Sequence, residues 1–215
     1  MDHEDWHSRW RENRLGFHEP EGNQLFAAHF GALDLAVGSR LFVPLCGKTR
    51  DIGWLLSKGY RVAGAELSPL AIDQLFQDLE LVPDIRPSGS LTHYSGPGID
   101  VFVGDIFDLT ADQLGQVDAV FDRAALVALP AEVRQTYAPY VTRLTNHARQ
   151  FLVTFDYDQS VMNGPPFSVP LDEVQQLYRD AFQIEHYAQA DVPGGLKGIC
   201  PATEIVWLLT ALPDT

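Results

Sequence analysis

Two neighbouring segments of the sequence end apolar runs in residues that could bind a ligand. The first, LFVPLCGKT, ends in a turn of Leu45, Cys46 and Gly47, and the second ends in Glu66 about 20 residues later. An acid at the tip of the second strand of a nucleotide-binding sheet can accept both hydroxyls of a ribose. The turn lacks the GxGxxG pattern, so it would hold a pyrophosphate poorly. This pair favours a cofactor with a ribose and no phosphate, and S-adenosylmethionine fits.

A third apolar run, VFVGDIFDL, ends in an acid that could read the base of the same cofactor. In this architecture its tip faces the adenine, so the Asp105 side chain or the Ile106 backbone could contact the ring. Asp108 is equally available, and it could instead cap the following turn.

A single arginine follows the fourth apolar run, AVFDRAAL. Arg123 would lie on the ligand edge, where its guanidinium could bind a carboxylate or stabilise a thiolate. The alternative is an ion pair with Asp122 or Glu66. We expect Arg123 to belong to the active site.

Aromatic residues could cover this edge from both ends of the chain. Trp6 and Trp10 lie four apart and share one helix face. Such residues usually pack in the core, but over the ligand edge an indole could stack on adenine or face a sulfonium. Phe17 and the loop carrying Pro166 and Phe167 could wall in a flat substrate, with ordinary loop packing as the alternative.

Strands and helices alternate along most of the chain, which predicts a parallel sheet with right-handed crossovers. We expect helices over 4–14 and 20–30 and a loop over 83–98, with a short strand near Thr92. Two last strands joined by a Gly-rich linker predict an antiparallel hairpin. The expected parallel strands cover 41–45, 61–66, 99–103, 117–122 and 150–155, and the hairpin strands cover 183–190 and 203–210. The predicted fold is α/β, a Rossmann-like three-layer sandwich with a mostly parallel seven-stranded sheet.

The 215 residues suit one domain, 1–215, in which residues 1–35 form a helical cover over the cofactor. A formal net charge of −14 disfavours nucleic acid and anionic lipid partners. The seven histidines form no HxxxH or His/Cys cluster, so no metal site is expected. The two cysteines are expected to be reduced thiols. With no signal peptide or apolar run long enough for a membrane span, we expect a cytoplasmic monomer.

The sequence resembles the thiopurine S-methyltransferase family nearly end to end. The segments that carry the resemblance are WHSRWRENRLGFHEPEGN, FVPLCGKTRDIGWL, VAGAELS, GDIFDL, FDRAALVAL and GPPFSVP. The resemblance implies S-adenosylmethionine-dependent methylation of an aromatic or heterocyclic thiol, or of selenium or tellurium compounds. It implies cofactor contacts from seven residues, which are Trp6, Trp10, Leu45, Glu66, Arg123 and the adenine-side pair Asp105 and Ile106. It also implies a substrate contact from Phe17 and help from Arg123 in deprotonating the substrate.

Besides a methyltransferase whose acceptor is a small-molecule oxygen or nitrogen, two other functions remain open from the residues alone. One is an NAD(P)-dependent oxidoreductase, which the missing GxGxxG and the terminal hairpin disfavour. The other is a non-catalytic nucleoside-binding protein, which would bind the cofactor without turnover of any thiol.

Overall fold

The computed structural model describes residues 3–12, 14, 19 and 21–213, and the strands of this part form one nine-stranded sheet. The strands are β1 (Arg40–Val43), β2 (Arg61–Glu66), β3 (Asp84–Ser88), β4 (Leu91–Gly96), β5 (Ile99–Val103), β6 (Ala119–Asp122), β7 (Arg149–Asp156), β8 (Phe182–Asp191) and β9 (Thr203–Ala211). The helices are α1 (His3–Arg11), α2 (Gln24–His29), α3 (Arg50–Ser57), α4 (Pro69–Asp78), α5 (Ala111–Leu114), α6 (Ala131–Leu144) and α7 (Leu171–Tyr178).

The strand order is β3-β4-β5-β2-β1-β6-β7-β9-β8. The five central strands, from β5 to β7, are parallel to one another. The hairpin of β8 and β9 is antiparallel and pairs with β7 through β9. The predicted fold class and the terminal hairpin are therefore confirmed.

The expectation of a loop over residues 83–98 is wrong, although the short strand expected near Thr92 is present as β4. This stretch forms the antiparallel hairpin β3–β4, which extends the sheet beyond β5 and raises the strand number from seven to nine. Four of the five residues of β3 are exposed, so the strand has no apolar alternation that the sequence could reveal. It is held by backbone pairing to β4 at the edge of the sheet, which is where a Pro such as Pro87 is tolerated.

Side-chain alternation along β1 divides the core between the two faces of the sheet. Leu41 and Val43 pack with α2, α3 and α4 on one face, whereas Phe42 packs with α6 and α7 on the other. Helices therefore cover both faces of a central sheet, as in a three-layer sandwich.

The second helix is shorter than predicted. It begins at Gln24, because the Asn23 side chain accepts a hydrogen bond from the Phe26 N–H over 2.8 Å and caps the helix. Pro20, the predicted start, lies outside the described residues. At α4, the Ser68 side chain caps the helix by accepting a hydrogen bond from the Ala71 N–H over 3.4 Å. No described helix is long and apolar enough to cross a membrane.

Candidate active site

A cavity of about 740 Å³ lies where β1, β2 and β6 end, and α1 covers part of it. It brings together predicted site residues from five regions of the chain, which are Trp6, Trp10, Leu45, Glu66, Arg123 and Pro166. This placement follows from the fold, because the carboxyl ends of parallel strands meet at one edge of the sheet.

The turn after β1 approaches the cavity with its backbone. Leu45 and Gly47 both adopt positive φ angles, of 45° and 51°, which are uncommon for a residue with a side chain. The turn is tied to the next strand, because the Cys46 N–H donates to the Ala65 carbonyl over 3.0 Å. Burial raises the pKa of the Cys46 thiol well above its ordinary value, and Glu66 raises it further. Cys46 is therefore a packing residue and a poor nucleophile at neutral pH.

Glu66 ends β2 and is almost fully buried, at 7% exposure, beside this turn. Its Oε2 accepts a hydrogen bond from the Gly47 N–H and its Oε1 accepts one from the Ser68 N–H, both over 2.9 Å. Burial raises the pKa of the Glu66 carboxyl, while these backbone donors lower it. Because the two oxygens of a carboxylate can accept about four hydrogen bonds in all, Glu66 keeps capacity for a ligand hydroxyl beside these backbone donors.

Arg123 follows β6 and forms an ion pair with Glu19, which lies 104 residues earlier in the chain. Asp122, one of the two partners considered from the sequence, has other contacts. Its carboxylate accepts hydrogen bonds from the Tyr137 hydroxyl over 2.7 Å and from the Leu126 N–H over 3.0 Å. These hydrogen bonds hold the last residue of β6 in place. Because Arg123 follows it directly, they also position Arg123 at the cavity.

Two further acids lie close to the Glu19–Arg123 pair. Asn23 connects them, because its N–H donates to Asp51 over 2.7 Å and its amide nitrogen donates to Glu204 over 3.0 Å. Burial raises the pKa of Glu204; Arg123 lowers it and Glu19 raises it. The cavity wall thus combines several carboxylates with the guanidinium of Arg123, whose side chain is only 10% exposed.

Helix α1 contributes both predicted tryptophans to the cavity wall. Trp10 is 4% exposed, and Trp6 is half-buried with the Arg9 guanidinium 5.2 Å from its ring centroid. The spacing of four residues therefore points both indoles toward the cavity.

Other predicted site residues lie elsewhere. The His3 Nε2 lies 3.2 Å from Asp105 Oδ2, and the Asp105 side chain caps a short 3-10 turn by accepting from the Phe107 N–H over 3.0 Å. Ile106 is buried in the core. The Arg134 guanidinium carbon lies over the Phe167 ring, 5.7 Å from the centroid of that ring. None of Asp105, Ile106 and Phe167 lines the cavity in the described part of the chain. Phe17 lies outside the described residues.

A family model described as Thiopurine S-methyltransferase (TPMT) matches residues 1–203. The thiopurine S-methyltransferase of Xanthobacter autotrophicus is 54% identical over 210 residues, covering 97% of this chain and 99% of the relative. That of Gluconobacter oxydans is 47% identical over 210 residues, covering 98% of this chain and 96% of the relative. The chain belongs to the thiopurine S-methyltransferase family. The resemblance drawn from the sequence motifs is confirmed.

Solved structures outside the family share its fold. The 1,6-didemethyltoxoflavin-N1-methyltransferase of Burkholderia thailandensis, with bound S-adenosylhomocysteine, is 17% identical with a TM-score of 0.66, covering 97% of this chain and 87% of that chain. The magnesium protoporphyrin IX methyltransferase of Synechocystis, also with bound S-adenosylhomocysteine, is 14% identical with a TM-score of 0.61, covering 98% of this chain and 100% of that chain. These similarities establish the Rossmann-like methyltransferase fold.

Within this family member, several charged residues of the cavity were not predicted from the sequence. Glu204 and Lys197 line the cavity, but each comes from a segment without a recognisable motif. Glu19 lies in a segment that carries the family resemblance, yet nothing in that segment singles it out. Lys197 reaches the loop that carries Pro165, Pro166 and Phe167, here called the proline loop. Its ammonium donates a hydrogen bond to the Pro165 carbonyl over 2.6 Å. Only the folded chain reveals that these charges share one site.

Proposed function

We propose that this cavity binds S-adenosylmethionine and transfers its methyl group to the sulfur of an aromatic or heterocyclic thiol. Family membership supports the reaction class. The single observation that carries the proposal is the Glu66 carboxylate, buried at the cavity wall and fixed by two backbone N–H groups.

The cofactor would lie along the ends of β1 and β2. The Glu66 carboxylate can accept charge-assisted hydrogen bonds from ligand hydroxyls, which suits the adjacent hydroxyls of a ribose. The Leu45–Gly47 turn would contact the cofactor through its backbone and the apolar side chain of Leu45. It lacks the Gly-rich pattern that binds a pyrophosphate. Trp6 and Trp10 would close the other side, where their indole faces suit a cationic sulfonium.

The adenine end would lie toward β5, which neighbours β2 in the sheet. Asp105 and Ile106 begin the 3-10 turn directly after β5, at the same edge as Glu66. We propose that this turn contacts the adenine through the Asp105 carboxylate or the Ile106 backbone.

The acceptor thiol would lie toward β6 and the proline loop. Arg123 would favour the thiolate electrostatically, and Pro166 with Phe17 would wall in a flat ring. Phe167 would act by supporting this loop, because its ring packs so closely on Gly164 that an added Cβ there would lie 2.6 Å from it.

Bound S-adenosylmethionine supplies an electrophilic methyl group on a sulfonium, so the protein need not create an electrophile. Its residues instead position the acceptor sulfur about 3–3.5 Å from the methyl carbon and exclude water. A heteroaryl thiol is acidic enough to present its thiolate near neutral pH. Arg123 would further favour the thiolate over the thiol. Its side chain is only 10% exposed, so little water screens its positive charge.

We further propose that residues 1–215 act as one domain and as a cytoplasmic monomer. The net charge of −14 disfavours self-association through acidic surfaces. The two cysteines, both buried and unpaired, are compatible with a reducing compartment.

The test is a methyl-transfer assay with S-adenosylmethionine and an acceptor panel of thiophenol, phenol, aniline and selenite. We expect the methyl thioether of thiophenol, detected by mass spectrometry, together with micromolar binding of S-adenosylhomocysteine by calorimetry. Binding without any methylated product would instead support a nucleoside-binding protein. A folded protein that binds no S-adenosylhomocysteine would overturn the proposal.

A further inference from the structure

We propose that Glu19 is a further catalytic residue, the general base that takes the proton from acceptor thiols that are not already ionised. The inference rests on the proposed methyl transfer to sulfur. It assigns a substrate class beyond acidic heteroaryl thiols, namely weakly acidic thiols such as benzylic ones.

The position of Glu19 is the first argument. Its side chain lines the cavity, is 38% exposed and pairs with the guanidinium of Arg123. A carboxylate that is partly exposed at the cavity wall can contact a ligand, and the ion pair with Arg123, 10% exposed, holds it in place. Any acceptor that reaches Arg123 therefore also meets Glu19.

The charges around Glu19 are the second argument. Burial raises the pKa of the Glu19 carboxyl; Arg123 opposes that rise and Asp51, from α3, adds to it. Glu204, from β9, faces the same group, and Asn23 lies between the acids. A carboxylate with a raised pKa is a stronger base than an exposed one, which suits proton abstraction near neutral pH.

The step is balanced without any further reactant. The S–H bond of the thiol breaks, its proton goes to a Glu19 carboxylate oxygen and its electron pair stays on sulfur. That sulfur forms a bond to the methyl carbon of the sulfonium co-substrate, whose own carbon–sulfur bond breaks with its electrons left on the departing sulfur. Glu19 then returns its proton to water.

The test compares Glu19→Gln with wild type on three thiols of decreasing acidity, 4-nitrothiophenol, thiophenol and phenylmethanethiol. We expect Glu19→Gln to lower kcat/KM by about 10²-fold for phenylmethanethiol, the lower end for a lost general base. For 4-nitrothiophenol, which is already a thiolate, we expect a change below about 3-fold because no proton needs to be removed. Glu132→Gln, the same charge change at an exposed position outside the cavity, should leave kcat/KM for all three thiols unchanged.

A second readout separates a base from a structural partner of Arg123. Raising the pH toward the pKa of phenylmethanethiol should restore the turnover of Glu19→Gln, because the thiol then loses its proton to hydroxide in solution and no longer needs a base on the protein. A loss by the same factor for every thiol, with no rescue by pH, would overturn the proposal.

The folding of the variants and the proposed methyl transfer itself are tested by separate measurements. Both variants should bind S-adenosylhomocysteine with wild-type affinity in calorimetry. If Glu19→Gln does not fold, Glu19→Asp takes its place, and a loss that does not depend on thiol acidity again overturns the proposal. Wild-type protein that methylates none of the thiols would instead overturn the proposed function.

Discussion

Gly47 and Glu66 are joined by a hydrogen bond in which the Gly47 N–H donates to Glu66 Oε2 over 2.9 Å. The bond connects the turn after β1 to the tip of β2, so that the two features that first indicated a ligand site hold each other in place. Neither can move without disturbing the other, which makes the pair a pre-organised wall of the cavity.

Glu66→Gln should weaken S-adenosylhomocysteine binding by about 10-fold or more. The amide keeps one acceptor oxygen, so its NH₂ group would face the N–H of either Gly47 or Ser68 and leave a buried donor unsatisfied. That donor lowers the stability of the free and bound protein alike. The affinity falls because the ribose hydroxyls lose charge-assisted hydrogen bonds to the carboxylate, each worth about 1.5–3 kcal/mol. Calorimetry measures the affinity, and Glu132→Gln on the exposed start of α6 is the matched control. Equal affinities for Glu66→Gln and wild type would remove Glu66 from the ribose contact.

Arg123→Ala should lower kcat/KM for thiophenol while leaving a folded core. Its guanidinium is the buried positive charge that pairs with Glu19, so its loss removes the electrostatic preference for a thiolate. Losing one such preorganised charge typically lowers turnover by about 10²-fold. Steady-state kinetics measure the change, and Arg143→Ala, at an exposed position in α6, is the control. An unchanged kcat/KM would exclude Arg123 from the mechanism.

Gly64 and Cys46 should show a strong energetic coupling. A Cβ built on Gly64 would lie 2.9 Å from Cys46 Sγ, which is closer than real Cβ contacts. Gly64→Ala should therefore lower the free energy of unfolding by about 1–3 kcal/mol through overpacking. Cys46→Ala removes the sulfur, so the double variant should recover most of that loss. Urea unfolding of the four proteins measures the coupling, and strictly additive losses would contradict it.

The parts of the site that could be predicted from the sequence share one physical property. Leu45, Gly47 and Glu66 follow two strands that are consecutive in the chain. The carboxyl ends of parallel strands lie at the same edge of a sheet, so the strand pattern alone places these residues together. The contact between Glu19 and Arg123 could not be predicted, because it joins segments 104 residues apart through the packing of the whole fold. The β3–β4 hairpin escaped prediction for another reason, since an exposed edge strand has no buried face to impose an apolar pattern.

Gln150→Met should stabilise the protein. Gln150 lies in β7 with 1% exposure, and neither atom of its amide has a hydrogen-bond partner in the described part of the structure. Burying an unpaired amide costs about 1–3 kcal/mol, whereas Met fills a similar volume without polar atoms. Thermal or urea unfolding measures the gain, with Gln175→Met, exposed on α7, as the control. A destabilised Gln150→Met would show that the amide makes a hydrogen bond in solution.

Asp122 should make the stability of the protein depend on pH in a definite direction. Burial raises the pKa of Asp122 from 3.8 to about 6, against the hydrogen bonds from Leu126 and Tyr137, which lower it. Because the folded state binds the proton more tightly, the contribution of Asp122 to stability is fully present below pH 3.8 and is lost as the pH rises through about 6. The total is about 3 kcal/mol, given about 1.4 kcal/mol for each pKa unit.

Asp122→Asn should therefore flatten this part of the stability profile. The introduced amide can still accept from the Leu126 N–H, and the Tyr137 hydroxyl can rotate to accept from the new NH₂ group. Relative to the variant, wild type should lose unfolding free energy between about pH 4 and pH 7, as urea unfolding at each pH would measure. Parallel profiles for the two proteins would mean that Asp122 titrates alike in the folded and unfolded chain.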